Sequence, residues 1–525
     1  AGDELYPRNE DATIATGYLR LWPYEDNQPD MSRHWEATLD DIADVSGDVF
    51  LGMSMKCARC HDHKFDSISQ KDYYRFRSFF AAISPWEDIR LGDEKAEQAY
   101  RKQLDEWENK TADIRAEMDA IKAGPWETEW ALARGKLPPY MHEILDKTER
   151  TPYEEQMDRF AWELMNRRAG AAYQKHIKGE EKQRWVALQK ELATYDSIKP
   201  QELDRVSAVR EIGGVAPATY VESNEKGERV LPGYLSILES GDAAIDPIPH
   251  NANTTGRRTA LAEWLTDGEN PLSVRVIVNR LWQWHFGSGI VASSNDLGIL
   301  GDRPTHPELL DWLARAFVKE GWSLKSMHRL MMTSATYRQG SLRKDAVAEA
   351  ADPENRLLWR MPARRMDAEQ MRDSMLCVSG EIETAMGGPG VAEEISTRRS
   401  IYVVNKRNKL RTTMNAFDTP DLHNSCPQRD VTTTPLQALA LLNGPWSLAR
   451  AASFADHVMS CEASGMEERI ATAYRNALGR SPTTQESAQG RRFLESAGDD
   501  EEAQENAWVD FCHVLLNTNE FLYIN

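Results

Sequence analysis

Apolar positions recur near helical spacing along most of the chain, and the exceptions mark its joints. From Trp35 to Leu51, Leu39, Ile42, Val45, Val49 and Phe50 fall at helix-like intervals, which predicts a helix running straight into a cysteine-bearing segment. Phe65–Ile68 then reads as a turn. Ser69 reads as the N-cap of a helix to about Ile83, carrying Tyr73, Tyr74, Phe76, Phe79 and Phe80. Such an aromatic stripe serves either as plain core or as one wall of a cofactor site. Residues 93–122 and 153–195 are charged and patterned as two long amphipathic helices, joined through Pro138-Pro139. Their similar lengths predict an antiparallel helical hairpin, with the charge runs as solvated faces. Residues 1–33, rich in Pro, Asp and Gly, read as extended coil.

The period changes over 204–238. Val206–Ile212 and Ala218–Val221 alternate and are β-branched around Gly213-Gly214, which predicts a small β element. Gly233, Pro247 and Pro249 set a boundary near residue 250. Helices return at Arg257–Leu265 and from Asn270-Pro271 onward, the latter with Val274, Ile277, Val278, Leu281, Trp282 and Trp284. More follow at 306–319 with Thr305 as cap, at 323–334, at 366–386 and at 433–460, while 400–404 reads as a short strand. Roughly the last 60 residues read as a small helical module. The fold class is therefore mainly α and multi-domain. Its expected segments are 1–90 with the cysteine motif, 91–200 as the long helical hairpin, 201–255 as a β-containing linker region and 256–525 as a helical domain.

Composition narrows the partners. A chain of 525 residues is too long for one core and implies about two to four domains. Apolar residues at 41% and charged ones at 28% are ordinary for a globular protein, whereas 16 tryptophans point to buried aromatic clusters or a cofactor wall. A formal charge of −20 repels duplex DNA and anionic membrane, so neither is an expected partner. No apolar run approaches the roughly 18 residues of a membrane span. Ala1–Leu5 has neither the charged nor the apolar region of a signal peptide.

The chemistry concentrates in Met53–Lys64, where Cys57, Cys60 and His61 spell C-x-x-C-H. That is the attachment pattern of c-type haem. Two thiols three residues apart share one side of a helical turn and reach the two vinyl groups of one porphyrin, and the next residue offers its imidazole to the iron. Two plainer readings compete: half of a zinc site completed by His63 and a remote ligand, or a redox dithiol. Arg59 and Lys64 are candidates for neutralising the propionates. Candidates for a distal ligand are Met53, Met55, His63 and His34 nearby, and His285, His306, His328 and His423 in the second half.

A second cluster is Asp418, Asp421, His423, Cys426, Arg429 and Asp430 on a Pro-bounded loop. It reads either as a functional site, with Cys426 and His423 as nucleophile and base, or as a disulfide end among hydrogen-bonded loop residues. Cys377, Cys426, Cys461 and Cys512 are too few for a disulfide scaffold but enough for one or two bridges in an oxidising compartment. The basic run Arg398-Arg399, Lys406-Arg407, Lys409 and Arg411 is a candidate for holding an anionic substrate such as a sulfated or uronic polysaccharide.

Phe50-Leu51-Gly52, CARCHDHKFD and Gln70–Tyr74 resemble the planctomycete cytochrome-type domain called PSCyt2. From about 256 onward the chain resembles its companion, PSD1, through NPLSVRVIVNRLWQWHFGSGIV (270–291), GDRPTHPELLDWLA (301–314) and GWSLKSMHRLMMTSATYRQ (321–339). The likeness continues in DPENRLLWRMPARRMDAEQMRDSML (352–376), AFDTPD (416–421) and SCPQRDVTTTPLQALALLN (425–443). It implies that 1–90 is the later part of a PSCyt2 domain and that its front part is absent here. It also implies an exported, periplasmic protein, a redox partner or an upstream cytochrome module, and one covalent haem c, but no defined reaction. The expectation is an exported c-type haem protein, an oxidoreductase or electron-transfer component. In its enzyme form a substrate sits between the two resembling parts and is oriented by the 418–430 loop. The alternatives are a binding or scaffold protein whose haem is structural or a relay, and a zinc-bound non-redox enzyme.

Overall fold

The computed structural model describes residues 1–23, 30–84, 88–221, 227–392, 396–407, 414–461, 465–498 and 500–524. It is mainly helical with small antiparallel sheets. Contacts divide the chain into two units, Ala1–Ile277 with Asn295–Gly301, and Val278–Ser294 with Asp302–Asn525. Among the described residues no helix is long and apolar enough to cross a membrane.

In the first unit the expected coil of residues 1–33 is instead α1 (Gly2–Leu5), α2 (Glu10–Ile14) and a 3-10 turn, Ala15–Arg20. The Asn9 side chain caps α2 by accepting from the Ala12 amide at 2.8 Å. α1 is held by a partner far along the chain: Asp3 accepts from both terminal nitrogens of the buried Arg258, at 2.7 and 2.8 Å. Polar composition concealed this, because the compensating guanidinium lies some 255 residues along the chain. α3 (Met31–Ser46) begins at the Asp30 cap and passes into a wide π-turn, Gly47–Leu51. α4 (Gln70–Arg77) starts at Ser69, as the sequence predicts, through a reciprocal cap in which Ser69 and Asp72 each accept the other's amide at 3.0 Å. Tyr73, Tyr74, Phe76, Phe79 and Phe80 are all buried in one core with Trp35. The aromatic stripe is core.

The two long helices are each broken. The first divides at Thr111 into α5 (Glu94–Lys110) and α6 (Ala112–Arg134). Thr111 is fully buried and its hydroxyl donates back to the Trp107 carbonyl at 2.7 Å, a bond that bends helices. After α7 (Pro139–Asp146), the second divides into α8 (Pro152–Ala172) and α9 (Gly179–Ala193), where Gly179 turns the chain at φ +59°. α6 packs against both α8 and α9. Gln156 on α8 ties the core together: its amide donates to the Ala81 and Ile83 carbonyls at 2.7 and 2.8 Å and its oxygen accepts from the Trp35 indole at 3.3 Å. The β element consists of β1 (Asp88–Arg90) with β2 (Arg205–Ser207), and β3 (Thr219–Tyr220) with β4 (Arg229–Val230), both pairs antiparallel. α10 (Arg257–Leu265) has the expected bounds.

α11 (Ser273–Phe286) carries the chain through the division. In the second unit α12 (Pro307–Lys319) is N-capped by His306, one residue past the expected Thr305, and α13 (Leu324–Met332) is capped by Ser323. After α14 (Ala346–Ala351) and β5 (Arg364–Arg365), the helix expected over 366–386 is α15 (Ala368–Val378), closed by Gly380 at φ +75°. The expected strand at 400–404 is a 3-10 turn, Ser400–Tyr402, because Asp373 accepts both the amide and the hydroxyl of Ser400 at 2.7 Å. The 433–460 helix is two, α16 (Pro435–Asn443) and α17 (Pro445–Ser460), parted where Pro445 opens the second. α18 (Met466–Leu478), α19 (Thr484–Glu495), α20 (Glu501–Leu516) and α21 (Asn519–Leu522) form the expected terminal module, and β6 (Tyr523–Ile524) pairs with β5. Met375 of α15 and Phe454 of α17 share one buried apolar cluster with Ile470, Trp508 and Phe511 of that module.

Candidate functional site

The C-x-x-C-H segment follows α3 through two turns. The π-turn after α3 ends at Gly52, held at φ +59°, and the backbone then winds into a 3-10 turn, Met55–Arg59, with Cys60 closing it. In a 3-10 turn residues three apart eclipse, so Cys57 and Cys60 share one side. Both thiols are free and exposed. Ala58 and Met55 point the other way, fully buried. His61 is exposed, and its Nδ1 lies 2.7 Å from the Asp62 carbonyl. A carbonyl only accepts, so in the neutral ring Nδ1 carries the proton and Nε2 holds the lone pair. This is the tautomer that metal-bound imidazoles adopt.

The other named residues divide sharply. Arg59 turns inward, donating to Asp44 and lying 3.4 Å from Asp40. Burial, only partly offset by Arg59 and reinforced by Asp40, pushes the Asp44 carboxyl up to about 6. Arg59 is thus committed to α3, whereas Lys64 is exposed with its ammonium 5.2 Å from the Phe65 ring. His63 Nδ1 accepts from the Asp66 amide at 3.0 Å, and its ring sits against the Asp66 carboxylate at 3.2 Å. Met55 is core, Met53 packs half-buried against it, and His34 is buried beside the Phe160 ring. His285 lies in the second unit, with Nε2 2.9 Å from His328 Nδ1.

A porphyrin needs two thiols, an axial lone pair and apolar surface. The first two are present, and the third stands beside the same loop. Asp66 accepts from the Ile299 amide at 2.8 Å, which brings the 295–301 segment to the motif. Phe65, Ile299 and Leu300 there are 43%, 71% and 63% exposed. Sequence reasoning missed Asp66, Ile299 and Leu300, whose contact spans more than two hundred residues. The turn-forming run Asn295-Asp296-Leu297-Gly298 was the available signal. Gly298 is required at this contact, since a Cβ would sit 2.5 Å from Asp66 Oδ1. Among the described residues no three His, Cys, Asp or Glu side chains gather where they could hold one metal ion, so the tetrahedral zinc reading has no preformed ligand set.

The 418–430 loop is held by its own unit. Asp418, at φ +60°, accepts from Arg365 at 2.6 Å, from the Thr432 amide at 2.9 Å and from the Thr432 hydroxyl at 2.7 Å. Burial raises its carboxyl, but these bonds hold it below its ordinary value. Asp421 accepts the His423 and Asn424 amides, at 2.9 and 3.4 Å, and is lowered chiefly by the former. Arg429 donates to Glu369, and the Cys426 thiol donates to the Gln428 carbonyl at 3.3 Å. His423 and Cys426 are exposed, with no hydrogen bond between them among the described residues. The expected nucleophile–base pair is therefore not assembled. Arg365, Glu369 and Gln437, which fix this loop, were not singled out from sequence. Cys377 is free and exposed, Cys461 donates to the His457 carbonyl, and burial pushes the Cys512 thiol up to about 12. In the basic run Arg398 closes on the carbonyls of Ala385, Gly387 and Pro389, and Arg407 donates to the Leu422 carbonyl. Arg399 approaches Asp373 at 3.9 Å, while Lys409 and Arg411 lie outside the described residues.

Residues 1–84 match the PSCyt2 family model, described as a protein of unknown function (DUF1549). Residues 257–494 match PSD1, a protein of unknown function (DUF1553). No curated protein and no solved structure matches the chain. The chain therefore carries both members of the domain pair that its motifs resemble, PSCyt2 and PSD1.

Proposed function

We propose that this chain is a c-type haem protein of the redox class, exported to the periplasm or beyond, acting as an electron-transfer component or oxidoreductase. Cys57 and Cys60 would carry the porphyrin by thioether bonds, and His61 would ligate the iron. The observation that carries this reading is an exposed His61 imidazole with its Nδ1 on the Asp62 carbonyl at 2.7 Å, in the same segment as two free, exposed thiols. Haem c bound there supplies a one-electron iron couple. The residues' own work is positional. The buried Ala58 and Met55 anchor the turn, Arg59 locks it to α3, and Phe65, Ile299 and Leu300 offer apolar surface to a flat ring. Lys64 is free to approach a propionate. A redox partner or an upstream cytochrome module would exchange the electron, and an anionic or carbohydrate substrate is the proposed reductant or oxidant in the enzyme form.

The experiment is expression with and without a haem c maturation system. Covalent, mass-shifted protein in the first case, lost in Cys57→Ala/Cys60→Ala, supports the proposal. Unmodified thiols in matured, exported protein overturn it.

A further inference from the structure

In the second unit a cavity of about 650 Å³ opens between the C-terminal end of α11 and the 353–364 segment. That volume is in the range of small-molecule sites. Its lining includes an aromatic pair, Trp282 and Phe286, with ring centroids 4.2 Å apart. The lining also carries Arg356, Arg360 and Arg364, with one carboxylate among them, Glu354. None of the three guanidiniums makes an ion pair or hydrogen bond among the described residues. On a chain of net charge −20, three unpaired arginines around one cavity reverse the local field.

The arginine segment is built rather than loose. Asp352 accepts the amides of Arg356 and Leu357 at 2.9 and 2.8 Å, and its carbonyl accepts from the Trp359 indole at 2.9 Å. Asn355 clasps Arg360 by both its amide and its carbonyl, at 3.2 and 3.0 Å. The turn holds Asn355 at φ +56° and Leu358 at φ +55°. For leucine that conformation costs about 1–2 kcal/mol, and the clasp sustains it. The Arg360 guanidinium lies 4.7 Å from the Trp359 ring, a stacking that leaves its N–H edge available for a planar oxyanion. His306, from which α12 starts without a side-chain cap, also lines the cavity.

We propose that this cavity binds an organic oxyanion, a carboxylate, sulfate or phosphate group borne on an apolar ring. The arginines take the anionic head and the Trp282–Phe286 wall takes the body. The site does not depend on any group at Cys57 and Cys60, so it is tested on the full chain with that motif unloaded. Calorimetric titration with benzoate, phenyl sulfate and phenyl phosphate, against neutral benzyl alcohol and inorganic sulfate, separates the head groups and shows whether the ring matters. The expected result is saturable binding of at least one aromatic oxyanion, no binding of benzyl alcohol, and binding of inorganic sulfate weaker by about tenfold or more. In Arg356→Gln/Arg360→Gln the affinity falls about tenfold or more per guanidinium removed, with the unfolding midpoint unchanged. Absence of binding by all three aromatic anions, equal binding of benzyl alcohol, or affinity unaffected by the double variant overturns the proposal.

Discussion

Arg59 stands between the two motif cysteines, yet its guanidinium turns away from them to the Asp44 carboxylate on α3. Asp40 lies 3.4 Å away on the same helix. The segment that displays two thiols to solvent is thus bolted to the core by the residue between them. Removing Arg59 leaves the largely buried Asp44 beside Asp40, which keeps Arg77 at 3.0 Å. Because the Arg59 side chain is 30% exposed, water repairs part of the loss, and Arg59→Ala is expected to cost about 1–3 kcal/mol. Urea unfolding measures it. A change within about 0.5 kcal/mol would mean the bolt is ornamental.

Gly52 sets the entry to the same segment. It sits at φ +59°, and a Cβ there would meet Leu297 Cδ1 at 2.7 Å and Val276 Cγ2 at 2.9 Å. Its carbonyl also accepts from the Leu297 amide at 2.8 Å. Gly52→Ala adds left-handed strain to a steric clash, for about 1–3 kcal/mol of destabilisation. Thermal unfolding at neutral pH checks this, and an unchanged midpoint would contradict it.

Glu211 and Asp44 each make stability fall as pH rises, whereas Glu4, raised by burial but held below its ordinary value by Arg258, acts the other way. Burial, strengthened by the neighbouring Glu4 and opposed by Arg258, pushes Glu211 from 4.5 up to about 7. Burial likewise lifts Asp44 from 3.8 to about 6. The folded state therefore keeps protons that the unfolded chain releases. Their contribution is complete below the ordinary values and is lost as pH rises through about 6 to 7. Glu211→Gln, which preserves an acceptor for Thr255, should flatten the slope between pH 4.5 and 7. A slope equal to that of the parent would show that Glu211 ionises normally.

The His285–His328 pair acts in the opposite sense. Burial first, then His328 and Arg364, lowers the His285 pKa below its ordinary 6.5. The unfolded chain takes that proton first, so this contribution is present above 6.5 and is lost as pH falls toward the lowered value. In His328→Gln the ring resonances of His285 should titrate at higher pH than in the parent. An unmoved titration would deny the coupling.

Much of this architecture was legible locally. The Ser69–Asp72 cap and the bounds of α10 follow from side-chain chemistry within a few residues, as does the C-x-x-C-H turn itself. Helix breaks were harder, because apolar periodicity runs on unbroken through Thr111, Gly179 and Gly444-Pro445 while the backbone does not. Long-range polar partnerships were invisible. Asp3 with Arg258, Asp66 with Ile299 and Asp418 with Arg365 each pair ordinary residues that only folding brings together. The same blindness hid the residues that fix the 418–430 loop, Arg365 and Gln437 on Asp418 and Glu369 on Arg429.

The most direct measurement is an absorbance spectrum, oxidised and dithionite-reduced, of protein matured in an exporting host, with the mass of the peptide bearing Cys57 and Cys60. A Soret band that shifts on reduction, on a peptide heavier by one haem, is the expected result. Colourless protein with both thiols unmodified would contradict it and remove the redox assignment.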